Sequence, residues 1–536
     1  MKFDADSNPF AMARAPHFAR NGMVATSHPL AAQAGLDALK AGGNAVDAAI
    51  ATAACLTVVE PTSNGIGADA FAIVWMRGQM HGLNSSGPAP KSLGIAEVLA
   101  LGHKAMPQLG WIPVTVPGAP AAWAELSARF GKLGLARCLA QAIDYAKNGH
   151  PVAPVVARNW KRAFAGYKAR LSAEDFAHWA QAFAPKGRAP EAGETWRSAD
   201  QGATLEEIAG TKGESFYRGA LARAIAAHSA ERKGFLSMAD LESYAPQWVT
   251  PISVNYRGYD VWEIPPNGQG LVALIALNVL KAFDFPAREK AEAFHKAFEA
   301  MKLSYCAGKE FIAEPGSMKF SAEEFLTESF AEALRAKIGA TACDPAPVTP
   351  AGGGTVYLCA ADSQGNMVSY IQSNYMGFGS GVVVPGTGIA LQNRGADFSL
   401  DPGHANALEG GKRCYHTIIP GFLTRAGRAV GPFGVMGGYM QPQGHVQVVM
   451  NAVDFGMNPQ AALDAPRWQW ISGRSFEVEH HFPLHIAREL QEAGHTIVVP
   501  PDSGSFGRGQ IVWRDDESGA LCGGTESRCD GAVSCW

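Results

Sequence analysis

The stretch GGGTVYLCAADSQGNMVSYIQS, residues 352–373, contains the pattern that decides the fold. Residues 355–361 and 367–373 are apolar runs bounded by turn-forming residues, a pattern that predicts two strands. The segment DSQGN between them predicts a tight turn that pairs the strands antiparallel. The sequence therefore predicts a hairpin that begins at Thr355, directly after three glycines.

The composition changes on either side of this hairpin. Residues 120–345 are mostly helical in pattern, with apolar side chains three and four apart. The segment ATACDPAPVTPAGGG, residues 340–354, has three prolines and three glycines and predicts an exposed linker. Strand patterns dominate beyond it, including HTIIPGFLT at 416–424. The pattern predicts an α+β protein built in layers, with a sheet on each side of the linker.

The bulk composition argues against several classes of partner and location. The chain of 536 residues carries 45 basic and 49 acidic side chains with no block of either sign, so we expect no nucleic acid partner. The longest apolar run, LVALIALNVL at 271–280, is half the roughly 20 residues of a membrane span, which predicts a buried helix and no membrane. The first residues lack the layout of a secretory signal, so we expect a cytoplasmic protein.

The cysteines predict neither a disulfide framework nor a metal site. Nine cysteines are scattered along the chain without a C-x-x-C pair, as in proteins of a reduced compartment. Cys522, Cys529 and Cys535 cluster near the C-terminus, where a metal trio or a disulfide pair is the less favoured alternative. We expect no metal.

Glycines followed by a threonine suggest a specific chemistry at Thr355. A threonine hydroxyl is a poor nucleophile unless a base takes its proton, and the amino group of the same residue is such a base once the chain is cut before it. A free α-amine titrates near about 7.7–8.0, so much of it is neutral around neutral pH. Gly354 permits the backbone strain that such a cut requires.

Two other interpretations of this pattern remain. Threonine is β-branched and is an ordinary first residue of a strand, so the glycines and the threonine alone are weak evidence. A serine hydrolase is the natural competitor among enzymes, but the chain has no G-x-S-x-G motif.

Longer motifs resemble the gamma-glutamyltransferase family along nearly the whole chain. Residues 42–75 resemble the family's N-terminal signature, and residues 354–370 resemble the hairpin that starts at its catalytic threonine. The similarity continues, in the family's order, through FYRGALARAI, PPNGQG, EAMKLSYCAG, DFS, MGG and ESRCDGA. The resemblance implies an N-terminal-nucleophile hydrolase with a four-layer αββα fold.

The resemblance also implies a precursor that processes itself. The cut falls between Gly354 and Thr355 and gives a large subunit, residues 1–354, and a small subunit, residues 355–536. These two fragments stay together as a heterodimer, and a dimer of such heterodimers is an open alternative. No cofactor is implied, because protein groups supply the nucleophile, the base and the oxyanion donors.

The family pattern assigns roles to four residues of the small subunit. Thr355 is the nucleophile and, through its amine, the general base. Ser373 stands where the family has a threonine whose hydroxyl supports the nucleophile. Gly437 and Gly438 match the glycine pair whose N–H groups stabilise the oxyanion. Without the resemblance, this pair would be interpreted as a plain turn between a strand and a helix.

The substrate pocket departs from the pattern of the glutathione-cleaving members. Ser86 occupies the place of the arginine that holds the α-carboxylate of the γ-glutamyl group, so that clamp is missing. Asp397 is retained, but Arg394 fills the position of its acidic or amide partner. A cation there repels an ammonium and attracts a carboxylate. Carboxylate binding by Arg394 and a structural ion pair with Asp397 both remain open.

Three further positions differ. His416 and Thr417 replace the paired serines that follow a KR dipeptide, and Tyr375 stands where an asparagine is common. Thr417 can still donate a hydrogen bond to substrate, whereas for His416 we favour a histidine satisfied within the protein. The segment from Asp397 to Lys412 is short, which predicts an open, wet pocket that favours hydrolysis over transfer.

These departures resemble the acylase-like branch of the family. The sequence predicts a self-processing threonine amidohydrolase that acts on a small-molecule amide and removes a γ-glutamyl or glutaryl type of acyl group, as a glutathione-hydrolase-like or cephalosporin-acylase-like enzyme. The alternative is a catalytically impaired relative that serves as a binding or scaffolding protein.

Overall fold

A computed structural model describes residues 14–345 and 354–536. Within these ranges the strands are β1 (His17–Ala19), β2 (Gly22–Thr26), β3 (Asp69–Met76), β4 (Gln79–Ser85), β5 (His150–Pro151), β6 (Thr195–Trp196), β7 (Gln247–Val249), β8 (Ile252–Tyr256), β9 (Tyr259–Glu263), β10 (Gly354–Asp362), β11 (Met367–Tyr375), β12 (Val383–Val384), β13 (Ile389–Ala390), β14 (Gly421–Arg425), β15 (Arg428–Met436), β16 (Trp468–Ser472), β17 (Ser475–Val478), β18 (Thr496–Val498), β19 (Arg508–Arg514), β20 (Leu521–Thr525) and β21 (Ala532–Cys535).

The helices in the same ranges are α1 (Pro29–Lys40), α2 (Ala45–Val59), α3 (Ile95–Ala100), α4 (Ala119–Phe130), α5 (Leu135–Asn148), α6 (Pro154–Arg170), α7 (Ala173–Phe183), α8 (Ala199–Thr211), α9 (Glu214–Arg218), α10 (Ala220–Glu231), α11 (Met238–Glu242), α12 (Gly270–Leu280), α13 (Ala291–Phe311), α14 (Ala322–Phe325), α15 (Glu328–Arg335), α16 (Met440–Val453), α17 (Pro459–Asp464) and α18 (Leu484–Glu492). Short 3-10 turns lie at Pro315–Ser317 and Arg394–Asp397.

The predicted hairpin is present and lies at the centre of a seven-stranded sheet. β10 and β11 pair antiparallel, and the order of the sheet is β21-β2-β10-β11-β3-β4-β7. In the turn, Asp362 Oδ1 accepts the backbone N–H groups of Gln364 at 2.9 Å and Asn366 at 3.1 Å. Gly365 takes a positive φ of 78°, which a glycine adopts without steric cost.

A second seven-stranded sheet packs on the first and completes the predicted layers. Its order is β1-β20-β19-β15-β14-β9-β8. The expectation of one sheet on each side of the linker is wrong, because each sheet combines strands from before and after the linker. Phe71, Tyr357 and Ile371 of the first sheet meet Phe422 and Val512 of the second in one buried cluster between the sheets. Two larger apolar clusters bury the outer faces of the sheets under helices. The four-layer αββα architecture expected from the sequence is therefore confirmed.

The apolar run at 271–280 forms the buried helix α12, as predicted, and every residue of α12 is buried. Among the described residues, no helix combines the length and apolar character that crossing a membrane requires.

The prediction of a strand over the whole of 416–424 is wrong in its first half. Only β14, from Gly421 onward, joins a sheet. The N–H of His416 donates instead to the carbonyl of Asn267 at 2.9 Å, and that of Ile419 donates to Gln441 Oε1 at 3.0 Å. Pro420 has no N–H to donate. The backbone N–H groups of this segment therefore donate hydrogen bonds to a loop residue and to a side chain of α16, and not to a neighbouring strand.

The C-terminal cysteines do not form the disulfide pair considered above. All three are free thiols. Cys522 lies on β20, Cys529 in the turn that follows, and Cys535 on β21. In the described part of the chain, His295, Glu299 and His495 are the residues whose ligand atoms come close enough to hold a metal. Lys302 Nζ lies 2.6 Å from Glu299 Oε1, so the ammonium group of Lys302 already occupies the position that a metal ion would take beside this carboxylate.

A buried ion pair on α13 fixes the chain just before the predicted linker, of which residues 346–353 lie outside the described ranges. The side chains of Glu299 and Lys302 are fully buried. Lys302 Nζ donates to the carbonyl of Cys343 at 2.7 Å, and the N–H of Cys343 donates to Glu299 Oε2 at 3.2 Å. The pair therefore satisfies both backbone groups of Cys343.

Replacing Lys302 by methionine should lower the free energy of unfolding by about 3–5 kcal/mol, because it leaves the Glu299 carboxylate buried without its cation. Denaturant unfolding measures this change. Lys296→Met on the same helix is the matched control, since Lys296 pairs with the largely exposed Glu292 and such a pair contributes less than about 1 kcal/mol. Equal losses in the two variants would contradict this assignment.

Candidate active site

Thr355 lies at the start of the central strand β10, at a break in the hairpin register. Gly354 pairs with Tyr375 and Val356 with Gln372, and the register shifts between these two pairs. Thr355 therefore lies opposite a bulge in β11, where Ser373 and Asn374 face this single residue of β10, and only 1% of the surface of Thr355 is exposed. A bulge changes the direction of side chains relative to the regular alternation of a strand, and here the hydroxyls of Ser373 and Thr355 meet at it.

One hydroxyl network surrounds the peptide bond between Gly354 and Thr355. Ser373 Oγ donates to the carbonyl of Gly354 at 2.7 Å, and it accepts the backbone N–H of Tyr375 at 2.8 Å. Thr355 Oγ1 lies 3.0 Å from Ser373 Oγ. A serine hydroxyl has a single proton, so Thr355 is the donor in this last bond. Ser373 thus polarises the carbonyl beside Thr355 and orients the Thr355 hydroxyl.

The glycine pair follows β15 and adopts conformations that other residues rarely take. Gly437 has a φ of 139° and Gly438 a φ of 59°. Among the described residues, neither of their N–H groups donates a hydrogen bond. Gln269 Nε2 donates to the carbonyl of Gly438 at 2.8 Å and to that of Thr417 at 2.6 Å. The amide of Gln269 therefore fixes the orientation of a turn that presents two free donors.

Arg394 is buried on a 3-10 turn, with only 1% of its surface exposed. Its Nη1 donates to Thr417 Oγ1 at 2.9 Å and lies 3.5 Å from Asp397 Oδ2. The guanidinium stands 4.0 Å from the ring centre of Tyr375. Arg394 Nε and Nη2 have no hydrogen-bond partner among the described residues. The ion pair with Asp397 exists, and it leaves two donors of Arg394 for a ligand.

Two tyrosines hold the other oxygen of Asp397. Tyr375 Oη donates to Asp397 Oδ1 at 2.8 Å, and Tyr439 Oη donates to the same atom at 2.9 Å. Tyr375 has a positive φ of 73°, a strained conformation for a residue with a side chain. Burial raises the pKa of both hydroxyls. Tyr375, expected to contact substrate, therefore also positions Asp397.

His416 is engaged on both sides of its ring. Its Nδ1 accepts the N–H of Ile418 at 3.3 Å, so the ring proton is on Nε2, which lies 3.0 Å from Asp69 Oδ2. Burial and the charge of Arg394 lower the pKa of His416, and burial raises the pKa of Asp69 to about 7. Asp69 faces Ser373 across the β3–β11 pair. This geometry fits the favoured interpretation of a histidine satisfied within the protein.

Ser86, at the place of the expected arginine, is also engaged within the protein. Its hydroxyl donates to Asn84 Oδ1 at 2.7 Å and accepts from Asn267 Nδ2 at 3.3 Å. Arg413 Nε donates to the backbone carbonyl of Ser86 at 2.9 Å. Position 86 therefore carries no cation, unlike the arginine expected from the family pattern, and the nearby cation Arg413 bonds to the backbone instead.

Sequence reasoning missed Asp69, Gln269 and Lys309 as residues of this region. Gln269 lies in the quoted motif PPNGQG and Lys309 follows the motif EAMKLSYCAG, so their motifs were recognised without a role for either side chain. Asp69 lies within residues 42–75, which were likewise recognised as a signature without a role for this side chain, since its position opposite Ser373 depends on the pairing of two strands that are distant in sequence.

A cavity of about 370 Å³ opens beside the peptide bond before Thr355. It is lined by residues of both predicted fragments, with Ser63, Tyr167 and Gly354 from the large one and Met376, Gly377 and Arg508 from the small one. The cavity therefore gives small molecules a path to the Gly354 side of the hydroxyl network.

The sequence of this chain is similar to those of known proteins along most of its length. The model of the gamma-glutamyltranspeptidase family matches residues 31–536. The "Glutathione hydrolase-like YwrD proenzyme" of Bacillus subtilis (strain 168) is 36% identical over 521 residues, which cover 95% of this chain and 98% of the relative. The "Oxamate amidohydrolase proenzyme" of Klebsiella pneumoniae is 33% identical over 537 residues and covers 96% and 98%.

A solved structure shares a higher sequence identity with this chain than these two relatives do. The cephalosporin acylase from Bacillus halodurans is 58% identical and superimposes with a TM-score of 0.97 over 100% of this chain and 99% of that one. The fold and the order of motifs inferred from the sequence thus agree with the comparisons.

Replacing Tyr375 by phenylalanine should lower the free energy of unfolding by about 1.5–3 kcal/mol, because it removes one of two hydrogen bonds to a buried carboxylate. Tyr439→Phe removes the other bond to the same oxygen and should cost a similar amount. Tyr259→Phe is the control, since its hydroxyl accepts a hydrogen bond from the exposed Arg425 at 3.4 Å and has no other partner within the described ranges. A loss at Tyr375 no greater than that of the control, measured by denaturant unfolding, would refute this account of Asp397.

Proposed function

Since this chain belongs to the gamma-glutamyltranspeptidase family of enzymes, we propose that it is a self-processing threonine amidohydrolase that removes a small carboxylated acyl group from an amide. The observation that carries the proposal is the hydroxyl of Ser373, which bonds to the Gly354 carbonyl and meets Thr355 Oγ1. A nucleophile, its orienting group and the carbonyl to be attacked are thus assembled in one network.

Processing uses the network as it stands in the uncut chain. Thr355 Oγ1 attacks the carbonyl carbon of Gly354, the C–O bond forms, the C–N bond breaks, and the hydroxyl proton passes to the departing amine. Water then hydrolyses the ester between the two residues. The products are the carboxylate of Gly354 and a free α-amine beside the restored hydroxyl of Thr355. Polarisation of the Gly354 carbonyl by Ser373 favours the first step.

Turnover uses the same residue with its new base. The α-amine of Thr355, with a reference pKa of about 7.7–8.0, takes the proton of the hydroxyl as that hydroxyl attacks the amide carbonyl of the substrate. The C–N bond then breaks and the proton passes to the departing amine. Water hydrolyses the acyl ester on Thr355, which releases the acyl group as a carboxylic acid and restores the hydroxyl. The unpartnered N–H groups of Gly437 and Gly438 hold the oxyanion. Because Gln269 fixes the carbonyl of Gly438, these donors are oriented before the reaction begins.

The fragments 1–354 and 355–536 are expected to remain one heterodimer after the cut. In the first sheet, β2 of the large fragment lies between β21 and β10 of the small one. In the second sheet, four strands of the small fragment lie between β1 and β9 of the large one. Separation would break strand ladders and expose the apolar cluster between the sheets, so the two fragments hold each other.

The acyl group is expected to be of γ-glutamyl or glutaryl type. Arg394 keeps two unpartnered donors in a buried position, which suits a carboxylate. Relatives named as glutathione hydrolase-like and as oxamate amidohydrolase, and a structure named as cephalosporin acylase, agree with amide hydrolysis. The cavity at Gly354 supports entry of water, and hydrolysis is favoured over transfer to an amine.

Thr355→Ala should yield a single full-length band on a denaturing gel and no hydrolysis, because it removes the attacking oxygen. Wild-type protein should give two bands, with Thr355 as the new N-terminus of the smaller fragment. Thr355→Ser keeps the oxygen and should still be cut. A processed and active Thr355→Ala variant would refute the proposal, and a stable uncut wild type that hydrolyses nothing would favour a binding or scaffolding protein.

Gln269→Leu should lower kcat by about tenfold to a hundredfold with little change in KM, because a mispositioned oxyanion donor acts mainly in the transition state. The kinetics of processed protein on γ-glutamyl and glutaryl p-nitroanilides measure the effect. Gln364→Leu, in the exposed turn of the hairpin, is the control. An increase in KM alone would show that Gln269 acts on substrate binding instead.

A further inference from the structure

Lys309 is a partly buried cation near the candidate active site. It lies on α13, and its Nζ stands 3.4 Å from the ring centre of Tyr439 and 4.6 Å from that of Tyr415. In the ranges that the structure describes, Lys309 has neither a hydrogen bond nor an ion pair with a carboxylate. Burial lowers its pKa to about 8, which the charge of Asp397 partly opposes.

The buried lysines Lys302 and Lys412 are satisfied by the protein, whereas the partly buried Lys309 is held mainly by aromatic rings. Lys302, on the same helix, pairs with Glu299 and bonds to a carbonyl. Lys412 Nζ donates to the carbonyl of Ala405 at 2.7 Å. The two tyrosine rings attract the ammonium of Lys309 through cation–π contact and leave its N–H groups available to a ligand.

The surroundings of Lys309 have an excess of positive charge. Arg394 is the second cation, with Nε and Nη2 unpartnered, and Asp397 is the carboxylate that influences both. Its Oδ1 is taken by the hydroxyls of Tyr375 and Tyr439. Arg394 also acts on the carboxyl group of Asp69, but burial raises the pKa of Asp69 to about 7, so that group is only partly ionised near neutral pH. The two cations therefore exceed the negative charge around them, and the region favours an anionic ligand.

The position of Lys309 connects this charge with the chemistry. Tyr439, on whose ring the ammonium lies, directly follows Gly438 of the glycine pair. Its backbone carbonyl accepts the hydroxyl of Tyr305, and its own hydroxyl bonds to Asp397. The hydroxyl of Tyr415 bonds to Gln269 Oε1 at 3.1 Å. The two rings that contact Lys309 are therefore both held by hydrogen bonds, and one of them directly follows the glycine pair in sequence.

We propose that Lys309, together with Arg394, binds the carboxylate of the acyl group. This inference rests on the proposed function and specifies its substrate class: acyl groups with a terminal carboxylate, in preference to uncharged acyl groups of the same length. Lys309 is a specificity residue contributed by the large fragment, and Arg394 is contributed by the small one.

The test compares two substrates that differ only in the carboxylate, glutaryl p-nitroanilide and pentanoyl p-nitroanilide, on processed protein. Wild type should prefer the glutaryl substrate. Lys309→Met should lower the ratio of the two kcat/KM values by about tenfold to a hundredfold, the range expected for a charge-assisted bond, mainly through KM. Lys309→Arg should keep most of the ratio, because it keeps the charge. Lys296→Met, on the same helix, should leave the ratio unchanged.

A binding measurement separates this inference from the proposed function. Calorimetry with glutarate and with pentanoate needs no turnover, and glutarate should bind wild type more tightly than pentanoate and lose that advantage in Lys309→Met. An unchanged preference in Lys309→Met, in either kinetics or binding, would overturn the role of Lys309 even in an active enzyme. Loss of hydrolysis in wild type would instead overturn the proposed function.

The pH dependence of the substrate preference is a third test, and it needs only the wild-type protein. The preference for glutaryl over pentanoyl substrate should decline as the pH rises through about 8, where Lys309 loses its charge. The groups that face Lys309 are Asp397, Arg394 and Cys414, with the rings of Tyr415 and Tyr439. A preference that stays constant from pH 6.5 to 9.5 would contradict the inference.

Discussion

The hydroxyl of Ser373 makes three hydrogen bonds at once, and the arrangement of the whole candidate site depends on them. It donates to the Gly354 carbonyl and accepts from the N–H of Tyr375 and the hydroxyl of Thr355. Because a hydroxyl has one proton and two lone pairs, the hydroxyl of Ser373 can make no further hydrogen bond. The position of Thr355 relative to the carbonyl before it is thus set by the pairing of β10 with β11.

That pairing is in turn held by strands from distant parts of the chain. β10 lies between β2 and β11, and β11 lies between β10 and β3. The glycine pair proposed to hold the oxyanion directly follows β15 of the second sheet, whose side chains pack on those of the first in the cluster between the sheets. The proposed nucleophile on one sheet and its donors beside the other therefore keep a fixed separation only while both helical layers cover the sheets.

The sequence predicted the parts of this arrangement that are local or carried by motifs. The hairpin, the buried α12 and the four layers follow from periodicity and resemblance. The failure at 416–419 has a physical cause, since that segment is apolar enough for a strand while its N–H groups bond to Asn267 and Gln441 from elsewhere in the chain. Asp69, Gln269 and Lys309 were missed for the same reason, because each acquires its role from a partner distant in sequence.

The distribution of positive charge is consistent with the proposal that this site keeps the chemistry of its family while its substrate differs. The proposed reacting groups are a hydroxyl, an amine and backbone N–H groups, none of which depends on where a cation lies. Ser86 and its amide partners leave the position of the expected arginine uncharged, while Arg394 and Lys309 concentrate charge around Tyr375 and Tyr439. Since Coulomb attraction falls with distance, a cation at a different position should hold a different part of the proposed acyl group without disturbing the threonine.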